Sequence, residues 1–315
     1  VFEKEDVTIY QNFYVEGETK EVDSTLRIFK KRTQVDLECL MEGEFPQKED
    51  EIAIDRMYAD NNELSVGDTL TIDGNEFQVT GLVALSDYSA LFSNTADLMF
   101  DAQKFGVAVV TPEGFDTFGD AHLHYSYSWI YANKPADDAK AKEMAEDFMK
   151  VISANGILTN YIPQYTNQAI HFTGDDIGGD RSMMLTLLYI LIVIMAFVFG
   201  VTTNNTIIKE AGVIGTLRAS GYTKGELLRH YICLPILVTF VAAVIGNILG
   251  YSVFKDVFAG MYYNSYSLPT YETIWNPDAF IKTTLIPLIL MFVVNLVVIA
   301  RMMRHTPLQF LRHDL

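Results

Sequence analysis

Two histidines two residues apart, His122 and His124, are the first side chains of this sequence whose types and spacing could do chemistry. In an extended segment a period of two puts both imidazoles on one face, a placement that can hold a divalent metal. A protein metal site needs at least a third ligand, and none stands at helical or hairpin spacing from the pair, so the sequence predicts no metal centre. The acidic run Asp175, Asp176, Gly178, Gly179 and Asp180 lacks the alternating oxygen ligands of a calcium loop and reads as a polar, flexible junction. No Gly-x-Ser-x-Gly, His-Glu-x-x-His or Gly-x-x-x-x-Gly-Lys run occurs. The chain therefore reads as non-catalytic and without a cofactor of its own. If ATP and Mg drive it, a separate subunit binds them.

The elements that would position any site divide by charge. Residues 1–180 carry 13 Lys+Arg against 34 Asp+Glu, net −21, whereas residues 181–315 carry 10 against 6, net +4. The two parts sit in different surroundings. An acidic folded part has no basic patch for phosphates, which excludes nucleic acid as a partner class. Cys39 and Cys233 fall in different environments and are not expected to pair, so the acidic part depends on its apolar core. Val1 is not an initiator Met and no secretory n-region precedes the acidic part, which reads as a fragment lacking an upstream transmembrane helix.

Three apolar runs predict membrane spans, at about 183–203, 231–254 and 282–300, each long enough for a hydrocarbon core of about 30 Å. Lys209, Arg218, Lys224 and Arg229 between the first two, and Arg301, Arg304 and Arg312 after the third, place residues 204–230 and the C-terminus in the cytoplasm by the positive-inside rule. The acidic part is then extracytoplasmic. Tyr262, Tyr263, Tyr266, Tyr271 and Trp275 in the outer loop suit either an interfacial aromatic belt or a packed loop. Ala242, Gly246 and Gly250 line one face of the second span, where another helix could approach closely. Apart from Lys282 at the edge of the third, the spans contain no Asp, Glu, Lys, Arg or His, which disfavours an ion-coupled pump.

In the acidic part, Leu70 and Ile72 alternate before Asp73-Gly74, and Phe77, Val79 and Val83 alternate after it, the pattern of a tight hairpin. A strand near 126–132, a helix capped by Asp137 or Asp138 and stopped at Asn155-Gly156, and a strand near 157–162 predict a β-α-β unit. The fold class is an α+β extracytoplasmic domain (1–180) followed by a transmembrane domain (181–315) of three α-helices. The segment from Val213 to Arg218 has its apolar residues at helical spacing beside cations. By itself that would equally suit a helix resting on anionic lipid.

The cytoplasmic run IIKEAGVIGTLRASGYTKGELLRHY, followed directly by a glycine-bearing span, resembles the FtsX-like permease family, which includes MacB-type subunits of ABC transporters. In that family Ile-Gly-x-Leu-(Arg/Lys)-Ala-x-Gly forms an amphipathic coupling helix, and Ile214, Gly215, Leu217, Arg218, Ala219 and Gly221 match it. The family often has Glu directly before Ile-Gly; here Val213 stands there and Glu210 lies one turn earlier. The Val-Gly-Asp run before the hairpin and the tail residues Pro307, Leu311 and Arg312 are also similar. The resemblance implies a non-catalytic permease subunit in a bacterial plasma membrane, acting as a homodimer or with a sister permease half. A separate ABC-type ATPase would push on the segment from Glu210 to Gly221 to export or extract a peptide, antibiotic or lipoprotein. Its alternatives are a regulator that passes ATPase motion to a cell-wall hydrolase, and a membrane-anchored enzyme with its activity in residues 1–180.

Overall fold

The computed structural model describes residues 6–119, 123–312 and 314. It divides into two compact units, Val1–Ile177 with Ala259–Glu272, and Gly178–Phe258 with Thr273–Leu315. The first unit opens with strands β1 (Val7–Gln11), β2 (Tyr14–Thr19), β3 (Ser24–Lys30), β4 (Glu38–Gly43) and β5 (Glu51–Asp55), then helix α1 (Arg56–Asn61). Strands β6 (Thr69–Ile72), β7 (Asn75–Leu85) and β8 (Phe105–Val110) follow, then α2 (Pro112–Asp116), β9 (Leu123–His124), β10 (Tyr127–Tyr131) and α3 (Asp138–Asn155).

Hydrogen bonding runs β3-β8-β5-β7-β6-β2, and β2 pairs back onto β3, so six strands close into a barrel with β4 and β9 attached to β7 and β2. Closure removes the exposed edges that an open sheet must otherwise protect. Every residue of β5 and β8 is buried, which explains the unbroken apolar run of β8 and the apolar centre Ile52–Ile54 of β5, whereas β2 and β3 alternate between core and surface. The Asp73-Gly74 hairpin forms as its sequence predicts. Ile72 pairs with Asn75, and φ is +48° at Asp73 and +88° at Gly74, the two left-handed positions that a primed turn requires.

The expected β-α-β unit is corrected. β10 pairs antiparallel with β1, from Val7 opposite Tyr131 to Gln11 opposite Tyr127. Asp137 caps α3 by accepting the Lys140 amide at 2.8 Å. Residues 157–162, however, form no strand. Tyr161 stacks on Trp129 at 5.0 Å and donates its hydroxyl to the Ala145 carbonyl at 2.9 Å, which draws the chain across α3 and leaves Ile157 fully exposed. The polar run Asp175–Asp180 is also corrected, because it lies inside the helix α4 (Gln168–Lys209) rather than in a flexible junction. Gly178 and Gly179 each cost a helix about 1 kcal/mol relative to Ala. The helix continues through them because both its ends are held, by the apolar span on one side and by buried Ala169 and Thr173 on the other.

Arg32 holds a buried ion cluster in the first unit. Its side chain is 7% exposed, its two terminal nitrogens reach Asp87 at 2.8 and 2.9 Å, and Nε reaches Glu38 at 3.1 Å. The outer loop after α7 (Lys255–Tyr263) folds onto the same unit. Asp55 caps α1 with one oxygen, accepting the Met57 and Tyr58 amides at 2.8 and 3.1 Å, and accepts the Ser267 hydroxyl with the other. Arg56 donates to the carbonyls of Tyr263 and Tyr266 at 2.8 and 2.9 Å.

Burial pushes the Asp55 carboxyl up to about 6, against hydrogen bonds from Ser267 and the α1 amides that pull it down. The folded state therefore binds this proton more tightly than the unfolded chain, whose Asp titrates near about 4. Its favourable contribution is complete below about pH 4 and is lost as pH rises through about 6. Asp55→Asn keeps a capping oxygen and removes the titration. Thermal midpoints of the full chain in detergent should show the wild type losing a few kcal/mol relative to the variant between pH 4 and 7. Parallel pH profiles would contradict this assignment.

In the second unit α4 continues to Lys209, followed by α5 (Ala211–Ala219), α6 (Lys224–Leu249), α8 (Pro277–Phe280), α9 (Ile286–Met302) and α10 (Pro307–Arg312). Single π-turns, Gly250–Phe254 and Ile281–Leu285, join α6 to α7 and α8 to α9. Three helices, Gln168–Lys209, Lys224–Tyr263 and Pro277–Met302, are long and apolar enough to cross a membrane. The protein is a multi-pass membrane protein with an α+β extracytoplasmic domain. At about 1.5 Å per residue, the 42 residues of α4 exceed the hydrocarbon core roughly twofold, so its polar first turns extend beyond it. Asn247 donates to Thr284 at 2.8 Å between the second and third spans, and Arg181 and Lys282 share Asp278 at 2.8 and 2.7 Å.

Candidate functional site: the cytoplasmic turn between spans one and two

The turn is built from local signals. α4 ends at Lys209, and Glu210 occupies the N-cap of α5 without a side-chain cap bond; its carboxylate accepts instead the Tyr231 hydroxyl at 2.5 Å. α5 ends in a Schellman motif. The Tyr222 amide donates to Leu217 O at 3.1 Å and the Gly221 amide to Arg218 O at 3.3 Å, with Gly221 at φ +109°. A side chain at Gly221 would be strained in that left-handed conformation, so this glycine shapes the turn. Thr223 and Glu226 then form a reciprocal capping box that starts α6.

α5 buries one face. Ala211, Ile214 and Gly215 are buried with Ile207, Leu227, Ile299, Met303 and Phe310, while Leu217 is half-buried against the same cluster. Gly215 meets the tail helix α10 so closely that a Cβ there would lie 2.7 Å from Leu311 Cγ and 3.1 Å from the Leu311 backbone nitrogen. Arg218 donates to the His305 carbonyl and lies over the Phe310 ring, 5.9 Å from its centre. The tail thus closes over α5. Val213 at 62%, Leu308 at 55% and the outer part of Leu311 at 46% stay exposed on the pair.

Of the residues that the sequence singles out, Ile214, Gly215, Leu217 and Arg218 come together against the tail, whereas Glu210 faces Tyr231 and Gly221 forms the helix stop. Ala242, Gly246 and Gly250 stand elsewhere on α6 and the π-turn after it, and a Cβ at Gly246 or Gly250 would meet nothing within 4 Å. His122 lies outside the described residues. His124 stacks on Tyr14, with ring centres 4.7 Å apart, and no group of three metal-ligating side chains occurs among the described residues. Sequence reasoning missed the capping box, although Thr223-x-x-Glu226 is its signature. It also missed Phe310 and His305 as partners of the segment, for which a six-residue helix at the chain's end offers no periodic signal.

The turn is a packed junction of short helices whose polar contacts serve capping and packing. The model of the FtsX-like permease C-terminal family matches residues 185–307. Curated proteins give no match. Among solved structures, the periplasmic region of MacB from Actinobacillus actinomycetemcomitans aligns at 12% identity and a TM-score of 0.25, over 46% of this chain. This chain covers 65% of that structure's length. The extracellular domain of the noncanonic ABC-type transporter YknZ from Gram-positive bacteria aligns at 14% identity and a TM-score of 0.27, over 48% of this chain and 75% of that one.

Proposed function

We propose, from the match of residues 185–307 to the FtsX-like permease C-terminal family, that this chain is the non-catalytic permease subunit of an ABC complex. A separate ATPase, holding ATP and Mg, engages the cytoplasmic face formed by α5 and α10. The observation that carries this reading is the bracing of α5 by the tail: a short helix locked by Gly215 against Leu311 and by Arg218 against His305 moves as one body when pushed. Exposed Val213, Leu308 and Leu311 supply the apolar contact. Motion of α5 enters α4 and α6 directly, since Glu210 and the four residues Ser220–Thr223 are all that separate the three helices. The spans then work the extracytoplasmic domain to export or extract a peptide, antibiotic or lipoprotein. A homodimer partner or sister permease half packs on the open Ala242, Gly246, Gly250 face in the bilayer.

The test is a detergent pull-down of the full-length protein, comparing wild type with Val213→Asp and with a Leu217→Asp, Arg218→Ala pair. Wild type should recover an ABC-type ATPase, and each variant should recover at least about tenfold less, the loss expected from one or two interface anchors. Equal recovery from all three would remove α5 from the interface. Recovery of no ATPase by wild type would sink the permease reading itself.

A further inference from the structure

Two stretches that continue membrane helices end on one excursion of the barrel, the segment between β7 and β8. From α4, Ala169 O accepts the Ala90 amide at 3.1 Å and the Ser89 hydroxyl at 3.0 Å. From the loop after α7, the Ser267 amide donates to Ser89 O at 2.9 Å while its hydroxyl donates to Asp55. Ser89 is therefore gripped from both sides. Phe92, Phe100, Phe172 and Tyr266 close around it, with ring centres 5.3–6.2 Å apart.

The loop contact is built to stay shut. Asp55 is 0% and Ser267 1% exposed, so opening would strand a buried carboxylate oxygen and a hydroxyl at once. Arg56 would lose two carbonyl partners while its Nε is already buried without one. An element that opens in each cycle is drawn from weakly protected, exposed contacts, and these are neither. We propose that the Ser267–Asp55 contact is a permanent coupling joint, through which the second span drives the extracytoplasmic domain alongside α4, and that it remains closed throughout the ATP cycle. The inference rests on the permease reading, because it needs a driven second span.

Thr270 supplies the test. Its hydroxyl lies 3.6 Å from the Cys39 thiol, so Thr270→Cys places two thiols where an oxidant can join the loop to β4. The full-length complex with its ATPase, in nanodiscs, is assayed for ATP turnover before and after oxidation, and for ATP-dependent change in amide exchange across the barrel. A closed joint predicts turnover within about twofold of the reduced protein, whereas a loop that must undock would stall by tenfold or more until reductant is added. Stalling overturns the proposal. Ser267→Ala should still recover the ATPase but raise exchange at residues 86–92 about tenfold. It should also shrink the ATP-dependent change in the barrel, which oxidised Thr270→Cys in the same chain restores. An undiminished response in Ser267→Ala likewise overturns it. If wild type binds no ATPase, the permease reading fails; if wild type responds to ATP and only the joint variants misbehave in the ways named, the joint alone fails.

Discussion

Arg32→Met is expected to lower the thermal midpoint of the extracytoplasmic domain by on the order of 10 °C. The methionine keeps the apolar stem but removes the guanidinium from between Asp87 and Glu38, whose side chains are 12% and 2% exposed. Breaking one partner out of a buried ion cluster costs about 3–5 kcal/mol, because the remaining charges keep their desolvation penalty without compensation. For a domain of this size each kcal/mol moves the midpoint by roughly 2–4 °C. Burial already pushes the Asp87 carboxyl above its usual range despite Arg32, so in the variant Asp87 should take up a proton as the least costly relief. Stability of the variant should then recover partly as pH is lowered. Adding Asp87→Asn and Glu38→Gln should restore much of the loss, since polar neutral groups replace unpaired charges. Differential scanning fluorimetry of the full chain reads all three; a shift below about 2 °C for Arg32→Met would show that the cluster contributes little.

This cluster also marks where the sequence stops being legible. The hairpin was readable because Asp73-Gly74 combines a turn pair with alternation on both sides, and each signal is local. The spans were readable because lipid demands long runs without charge. Arg32 and Asp87, by contrast, are 55 residues apart, and no period links them; Arg32 follows β3 and Asp87 follows β7, strands that only the barrel order β3-β8-β5-β7 relates. Local rules also failed where they competed with anchoring. Glycine and aspartate at 175–180 are poor helix formers, yet the helix passes through them because its flanks are fixed. Ile157–Ile162 has a strand's composition, but Tyr161 finds a better partner in Trp129 than any strand edge supplies. In the cytoplasmic turn the residue types pointed to a helix and its stop. Which face that helix buries was decided by the spans and the tail together, through Ile207, Leu227, Ile299 and Phe310.

That decision makes Gly215→Val the sharpest probe of the candidate site. A Cβ there would meet Leu311 Cγ at 2.7 Å, which a rotamer change could relieve, but also the Leu311 backbone nitrogen at 3.1 Å, which only a shift of α10 can relieve. Overpacking of this kind costs about 1–3 kcal/mol. Unlike a core substitution, the strain has an easy outlet, because α10 is a six-residue helix that can lift away, taking Phe310 from the cluster and the His305 carbonyl from Arg218. The spans and the extracytoplasmic domain are then untouched. Expression and thermal midpoint should change little, whereas recovery of the ATPase should fall by about tenfold, equivalent to about 1.4 kcal/mol at the interface. Gly212→Ala is the matched control: its Cβ would meet nothing within 4 Å, and alanine favours the helix by about 1 kcal/mol, so recovery should stay the same or rise. If Gly215→Val recovers as much ATPase as Gly212→Ala, the tail does not brace the segment. If both fall together, α5 must adopt a conformation that neither side chain permits, and the lever is the glycines' flexibility rather than the packing seen here.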